Sequence, residues 1–222
     1  MAYLLHIDTS TEKGVIALGC NGTLLSSRTN IESRNHAASI NLMIAEVLAE
    51  ACISMSDLDG VVVCAGPGSY TGLRIGMATA KGLCYSLDKP LFLDNKLELL
   101  ANDAITIKTI SDDVFVALLK AREKEYFTAV YDADHKCIVA PVHVLASDVV
   151  NALNSQFNLC IISDEDEAII HELFGKDVNI IKNVNLNIEN WIKFSFRSFE
   201  CNNSVTLSSA EPFYLKQVYT HK

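Results

Sequence analysis

The chain has 222 residues, half of them hydrophobic and 20% charged, with a formal net charge of −9. That length suits one large domain or two small ones around a buried core, and the acidity argues against a broad nucleic-acid footprint, which is normally basic. No basic-then-apolar leader and no apolar run long enough for a bilayer is visible, so the expected compartment is the cytoplasm, with no membrane partner.

The first elements read as a β-meander. "YLLHID" is a short apolar run ending in an acid, "VIALGC" follows the polar turn "TSTEKG", and "TLLSSR" follows the hairpin signal Asn21-Gly22. Residues 35–52 have helical composition, with Asn35 or Ser33 as the N-cap. "GVVVCAG" is the continuous β-branched run of a strand covered on both faces. A glycine-rich stretch, "CAGPGSYTGLRIGMATAK", then opens a helix that ends near Leu87, followed by a strand "PLFLD" and a helix "NKLELLAND". Beyond it the plan repeats: strands "VFVALLKA", "EYFTAVYD" and "KCIVAPVHVL", a helix from Ser147, a strand "LCIIS", and helical segments near 166–174 and 188–199. Nine of the ten glycines lie in residues 1–82, and the later part carries more of the negative charge. The expected division is a lobe at 1–105, a second at 106–204, and a C-terminal segment 205–222 packing back on the first.

The glycine stretch fails three enzymatic motifs at specific residues. A phosphate loop needs GxxxxGK[ST], but none of Gly66, Gly68, Gly72 and Gly76 has the second glycine five residues on. A dinucleotide fingerprint fails at Thr71, and a GxSxG elbow fails because Pro67 and Thr71 flank Ser69. An anion at the helix N-terminus stays open. The seven cysteines, Cys20, Cys52, Cys64, Cys84, Cys137, Cys160 and Cys201, form no CxxC pair, and the six histidines form no HExxH or HxxxH pair. No metal site follows.

Two helical faces carry more information. Gly72, Gly76 and Ala80 recur every four residues, a side-chain-free stripe that permits close approach of another element. Each interior glycine costs roughly 1 kcal/mol relative to alanine, so packing must offset it. In the 35–52 helix, Ile40, Ile44, Val47 and Ala51 form one stripe, while Leu42, Ala45, Ala49 and Cys52 form a second. A helix apolar nearly all round is buried on two sides. One side covers a sheet; the other meets the glycine helix, internal core or a second protein, and the pattern leaves these open.

These residues resemble a known family. "LLHIDTSTEKGVIAL", "NHAASINLMIAEVL" and, above all, "GPGSYTGLRIGMATAKGL" are similar to the TsaB (YeaZ) family, over residues 1–101 in particular. Weaker echoes are "ALLKAREKEYFTAVYD" and "EPFYLK". Tyr70 stands where phenylalanine is usual, Lys120 where an acid precedes Ala121-Arg122, and Lys216 where the family has arginine. The resemblance implies an α/β chain with the actin/sugar-kinase/Hsp70-like (ASKHA) fold, built of two ribonuclease-H-like lobes. It implies an accessory role in making threonylcarbamoyladenosine next to the tRNA anticodon. The chain would pair with the transferase TsaD through a helical bundle, alongside the ATP-hydrolysing TsaE. It would form a homodimer when alone and meet tRNA only through the complex.

On that reading the partner-binding residues are His36, Ile40, Ile44, Val47, Gly72, Gly76 and Ala80, with Arg74 and Lys81 at the rim, and no residue is catalytic. The alternative is a weak ATPase or phosphotransferase of the same superfold. Asp8, Thr9, Ser10 and Thr11, at the first hairpin, are then the candidates for contacting a metal-bound phosphate. No intrinsic cofactor is expected; ATP or ADP with magnesium would belong to the complex.

Overall fold

The computed structural model describes residues 1–30, 35–107, 113–149, 158–182 and 185–215; Ser33 and Lys216 lie outside the described residues. Its chain divides into two compact units, 1–96 with 187–213, and 97–186 with 214–222.

In the first unit, β1 (Tyr3–Asp8), β2 (Gly14–Cys20) and β3 (Thr23–Asn30) form the antiparallel meander. Asn21 and Gly22 close the β2–β3 hairpin with positive φ at both, the backbone whose twist matches the flanking strands. β4 (Gly60–Gly66) and β5 (Leu91–Asn95) add in parallel on the other side of β1, giving the order β3-β2-β1-β4-β5. All seven residues of β4 are buried, and each fully buried valine among Val61, Val62 and Val63 contributes roughly 1.5–3 kcal/mol.

Three helices cover this sheet. α1 (His36–Glu50) and α2 (Tyr70–Leu87) share one face, where Ile40, Ile44, Val47, Met77, Ala80 and Cys84 join Leu5, Ile7, Val61 and Val63 in one core. α1 stops at Cys52, whose positive φ lets the Ile53 amide turn back to the Leu48 carbonyl at 3.0 Å. α2 is capped by Ser69, whose hydroxyl accepts the Gly72 amide, and ends at Asp88 in the left-handed region. α6 (Ile188–Glu200) covers the other face, placing Trp191 and Ile192 against His6 and Gly19. The segment beyond α6 then straps the unit. Val205 bridges Leu91, Ala210 enters the core, and the Phe213 amide donates to the Ala65 carbonyl at 2.8 Å.

The second unit repeats the connectivity. β6 (Asp113–Arg122), β7 (Glu125–Tyr131) and β8 (Cys137–Leu145) are the meander; β9 (Asn158–Ile162) and β10 (Asn179–Ile181) add in parallel, in the order β10-β9-β6-β7-β8. α3 (Lys96–Ile107) packs Leu97, Leu100, Ala101 and Ala104 on one face. α4 (Ala146–Val149) and α5 (Glu167–Phe174) supply Val149, Ile170 and Leu173 to the other.

The division therefore differs from the sequence expectation. The helix after the first sheet's last strand, α3, covers the second sheet. The helix after the second sheet's last strand, α6, covers the first. The boundary falls after Lys96 rather than 105, and the return to the first unit begins at Asn187 rather than 205.

Candidate functional site

The glycine stretch works inward. Its stripe lies against the turn that follows β1. A Cβ on Gly68 would stand 2.3 Å from the Ser10 carbonyl oxygen, one on Gly72 2.0 Å from the Thr9 carbonyl oxygen, and one on Gly76 2.4 Å from Thr9 Oγ1. Hydrogen bonds fasten the seam. Thr9 Oγ1 donates to the Gly72 carbonyl at 2.7 Å, and the Ser69 amide donates to the Ser10 carbonyl at 2.7 Å. The expectation that Gly72, Gly76 and Ala80 meet a partner is corrected: all three are buried against this unit's own hairpin and sheet. The stripe answers a backbone-to-backbone contact inside the chain.

The candidate phosphate residues sit in that seam. Asp8, Thr9 and Ser10 are buried. Asp8 Oδ2 takes a 2.8 Å ion pair from Lys96 Nζ, and Oδ1 accepts the Ser10 amide at 2.8 Å. Burial pushes the Asp8 carboxyl up, but the Lys96 charge and the Ser10 and Lys96 hydrogen bonds outweigh it, so the group lies below the ordinary aspartate range. Lys96 is likewise buried and held above the usual lysine range by Asp8 against its own desolvation. Burial raises the neighbouring Cys64 thiol and keeps it protonated, so it offers no thiolate. Thr11 is partly exposed, and its carbonyl accepts from His36 Nε2 at 2.9 Å.

That contact assigns His36. A carbonyl only accepts, so Nε2 carries the proton and the buried Nδ1 faces Gly14. His36 pins the hairpin to the start of α1 and is not a surface residue. Ile40, Ile44 and Val47 are core as well, so the partner-facing assignment of these residues is also corrected. The 3.6-residue period identifies a buried face without saying what buries it. Of the two rim cations, Arg74 is exposed and lies 4.1 Å over the Tyr70 ring. Lys81 instead donates to the Ala210 carbonyl at 3.1 Å, tying the strap to α2.

The opposite faces of the two helices remain open. On α1, Leu42 (62% exposed), Ala45 and Ala49 are exposed, and Cys52 extends that row. On the adjacent α2, Ala78, Gly82 and Tyr85 (84% exposed) are exposed, and a Cβ on Gly82 would meet nothing. The result is a two-helix surface of small and apolar side chains. Its flanking charges, Glu46 and Glu50, pair with Arg28 at 3.3 and 2.7 Å. Such exposed pairs stabilise little.

Two polar clusters escaped sequence reasoning. On the α6 face, Asp94 Oδ2 accepts Trp191 Nε1 at 2.7 Å and Ser195 Oγ at 2.6 Å. Burial pushes the Asp94 carboxyl up to about 6, against these two bonds. His6 stands edge-on to Trp191 with ring centroids 5.1 Å apart, and burial lowers it to about 4. In the second unit Lys120 pairs with Glu165 at 2.8 Å, and the Tyr126 hydroxyl donates to the other Glu165 oxygen at 3.0 Å. The acid missing from the end of β6 is thus supplied just after β9. The single tryptophan was the available signal for the first cluster; nothing in the sequence pattern marked Lys96 or Glu165. No group of three or more metal-ligating side chains is gathered among the described residues, and none of the described helices is long and apolar enough to cross a membrane.

The family model described as TsaD: tRNA N6-adenosine threonylcarbamoyltransferase matches residues 26–189, well over half of the chain. The chain belongs to this family, as a TsaB/YeaZ member. A Bacillus subtilis relative, the tRNA threonylcarbamoyladenosine biosynthesis protein TsaB, is 28% identical over 178 residues, covering 79% of this chain and 76% of that protein. An uncharacterised Mycobacterium tuberculosis protein is 36% identical over 148 residues; this chain spans 66% of that relative's length, and the match covers 66% of this chain. Among solved structures, Pseudomonas aeruginosa YeaZ has a TM-score of 0.78 at 23% identity, covering 97% of this chain and all of that one. This last likeness concerns the fold, and the doubled meander-plus-parallel sheet is the two-lobed ASKHA plan that the TsaB resemblance implies.

Proposed function

We propose that this TsaB-family chain is the non-catalytic partner subunit in formation of threonylcarbamoyladenosine next to the tRNA anticodon. It docks on TsaD through the outward faces of α1 and α2. The observation that carries the reading is the open surface of Leu42, Ala45 and Ala49 beside Ala78, Gly82 and Tyr85. Small residues let facing helices approach closely, while Leu42 and Tyr85 supply the apolar anchors that dominate interface energies. In the absence of TsaD the same surface pairs two copies of the chain. TsaE joins the TsaD assembly, which works in the cytoplasm. The net charge of −9 leaves tRNA to be held by the partners, and any ATP or ADP with magnesium belongs to the assembly.

The experiment is to mix the chain with TsaD from the same organism and measure complex mass by light scattering, with Ala45→Arg and Gly82→Arg beside the wild type. Both positions are exposed, so the variants are expected to melt within a few degrees of wild type. They should bind TsaD at least about tenfold more weakly, a loss of about 1.4 kcal/mol or more. Undiminished pairing by both variants would remove this surface from the assignment. ATP turnover by the isolated wild-type chain would overturn its non-catalytic character. Gly76→Arg is unsuitable for this purpose, since its side chain would enter the Thr9 seam.

A further inference from the structure

The superfold's hairpin acid invites a magnesium nucleotide, and the residues present do not fit one. A bound magnesium ion needs open carboxylate oxygen and room for its remaining oxygen ligands. Here Asp8 Oδ2 already holds Lys96 Nζ at 2.8 Å, with side chains 4% and 2% exposed, and Oδ1 already holds the Ser10 amide. Phosphate oxygens would need the turn and the amides at the start of α2. Yet the Ser69 amide is spent on the Ser10 carbonyl and the Gly72 amide on the Ser69 hydroxyl. Nor is there space: the seam is too tight for even a methyl group at Gly68 or Gly72.

We infer that Lys96 is the resident cation of the Asp8 carboxylate, a side chain standing permanently where a nucleotide-dependent relative would recruit a divalent ion. The topology delivers it. Asp8 ends β1, and Lys96 directly follows β5 as the first residue of α3, so both leave the sheet at the same carboxyl end of the parallel strands β1, β4 and β5. The two formal charges cancel inside the buried seam. A magnesium ion placed on the same carboxylate would put two positive charges beside a buried ammonium with little solvent to screen them. Ser10 Oγ, 3.9 Å from Cys64 Sγ, completes the polar lining without adding charge. The joint between the first hairpin and α2 is therefore closed by the chain itself, and its closure does not depend on nucleotide. This inference stands on the seam alone and is independent of the proposed docking role.

Manganese, with and without ATP, is the probe, because its paramagnetism broadens nearby amide signals. In the full wild-type chain the Thr9, Ser10 and Gly72 amides are expected to stay sharp with manganese in tenfold excess. Selective broadening of these amides in the wild type would overturn the inference. Lys96→Met is expected to melt roughly 10 °C below wild type, since it strands a buried carboxylate. Adding Asp8→Asn to Lys96→Met should recover most of that loss, because the stranded charge goes with it. A Lys96→Met chain that melts with the wild type, or a double variant no better than the single, would show that the ammonium does not compensate Asp8. Should the single variant fail to fold, the wild-type spectra and the double variant still decide the matter.

Discussion

A Gly72→Ala chain is expected to lose about 4 kcal/mol of unfolding free energy, at the severe end of single substitutions. The added methyl would stand 2.0 Å from the Thr9 carbonyl oxygen. Neither party is a flexible side chain, so no rotamer change relieves the clash. Relief requires α2 to lift from the hairpin. That breaks the 2.7 Å bond from Thr9 Oγ1 to the Gly72 carbonyl and strains the Ser69–Ser10 bond beside it. The control lies ten residues along the same helix. Gly82→Ala meets nothing and replaces a poor helix former with the best one, so it should gain roughly 0.5–1 kcal/mol. Urea melts of the two variants check the claim. A Gly72→Ala unfolding free energy within 1 kcal/mol of wild type would mean that the seam is not a backbone contact.

The second large effect is a pH dependence that the wild-type chain conceals. The Asp94 carboxyl is raised to about 6 in the folded chain, so its contribution is complete below the unfolded value near 3.8 and is lost as pH rises through about 6. His6 is depressed to about 4, so its contribution is complete above the unfolded value near 6.5 and is lost as pH falls through about 4. Each shift corresponds to roughly 3 kcal/mol. The two have opposite sign over the same window, between about pH 4 and 6.5, and nearly cancel. Asp94→Asn should therefore lose roughly 3 kcal/mol between pH 6.5 and 4, while His6→Leu should become more stable over the same range. Asp8, depressed in the folded chain, begins to cost stability only below about pH 4 in either variant. Denaturant melts at pH 6.5 and 4.5 test the compensation; parallel profiles for wild type and Asp94→Asn would refute it.

Most elements of both meanders were legible, because the Asn21-Gly22 turn, the run of valines in β4 and the apolar periodicity of α1 are local signals. What faces each element is not local. Gly72, Gly76 and Ala80 announce a close approach, yet the pattern is the same whether the neighbour is a partner helix or the chain's own Thr9 carbonyl. The second stripe of α1, Leu42, Ala45 and Ala49, was equally visible and proves to be the outward one. Lys96 sits in "DNKLELL", a stretch that reads as an ordinary polar helix start, and only the meeting of β1 with β5's end buries it. The exchange of α3 and α6 between units leaves no trace in composition, since an amphipathic helix packs as well on either sheet.

That exchange bears on the order in which the protein can be made. The second unit is nearly continuous in the chain, whereas the first waits for residues 187–213 before α6 and the strap arrive. When synthesis has reached residue 186, His6 and Asp94 still lack Trp191 and Ser195, and the far edge of β5 lacks Val205. A chain growing from its amino terminus therefore holds all of the second unit but its 214–222 segment before the first has α6 and the strap, reversing the usual vectorial order. Chains truncated after residue 186 and released are expected to be cut by protease within residues 1–96 and spared within 113–149 and 158–182; full-length chains should resist throughout these ranges.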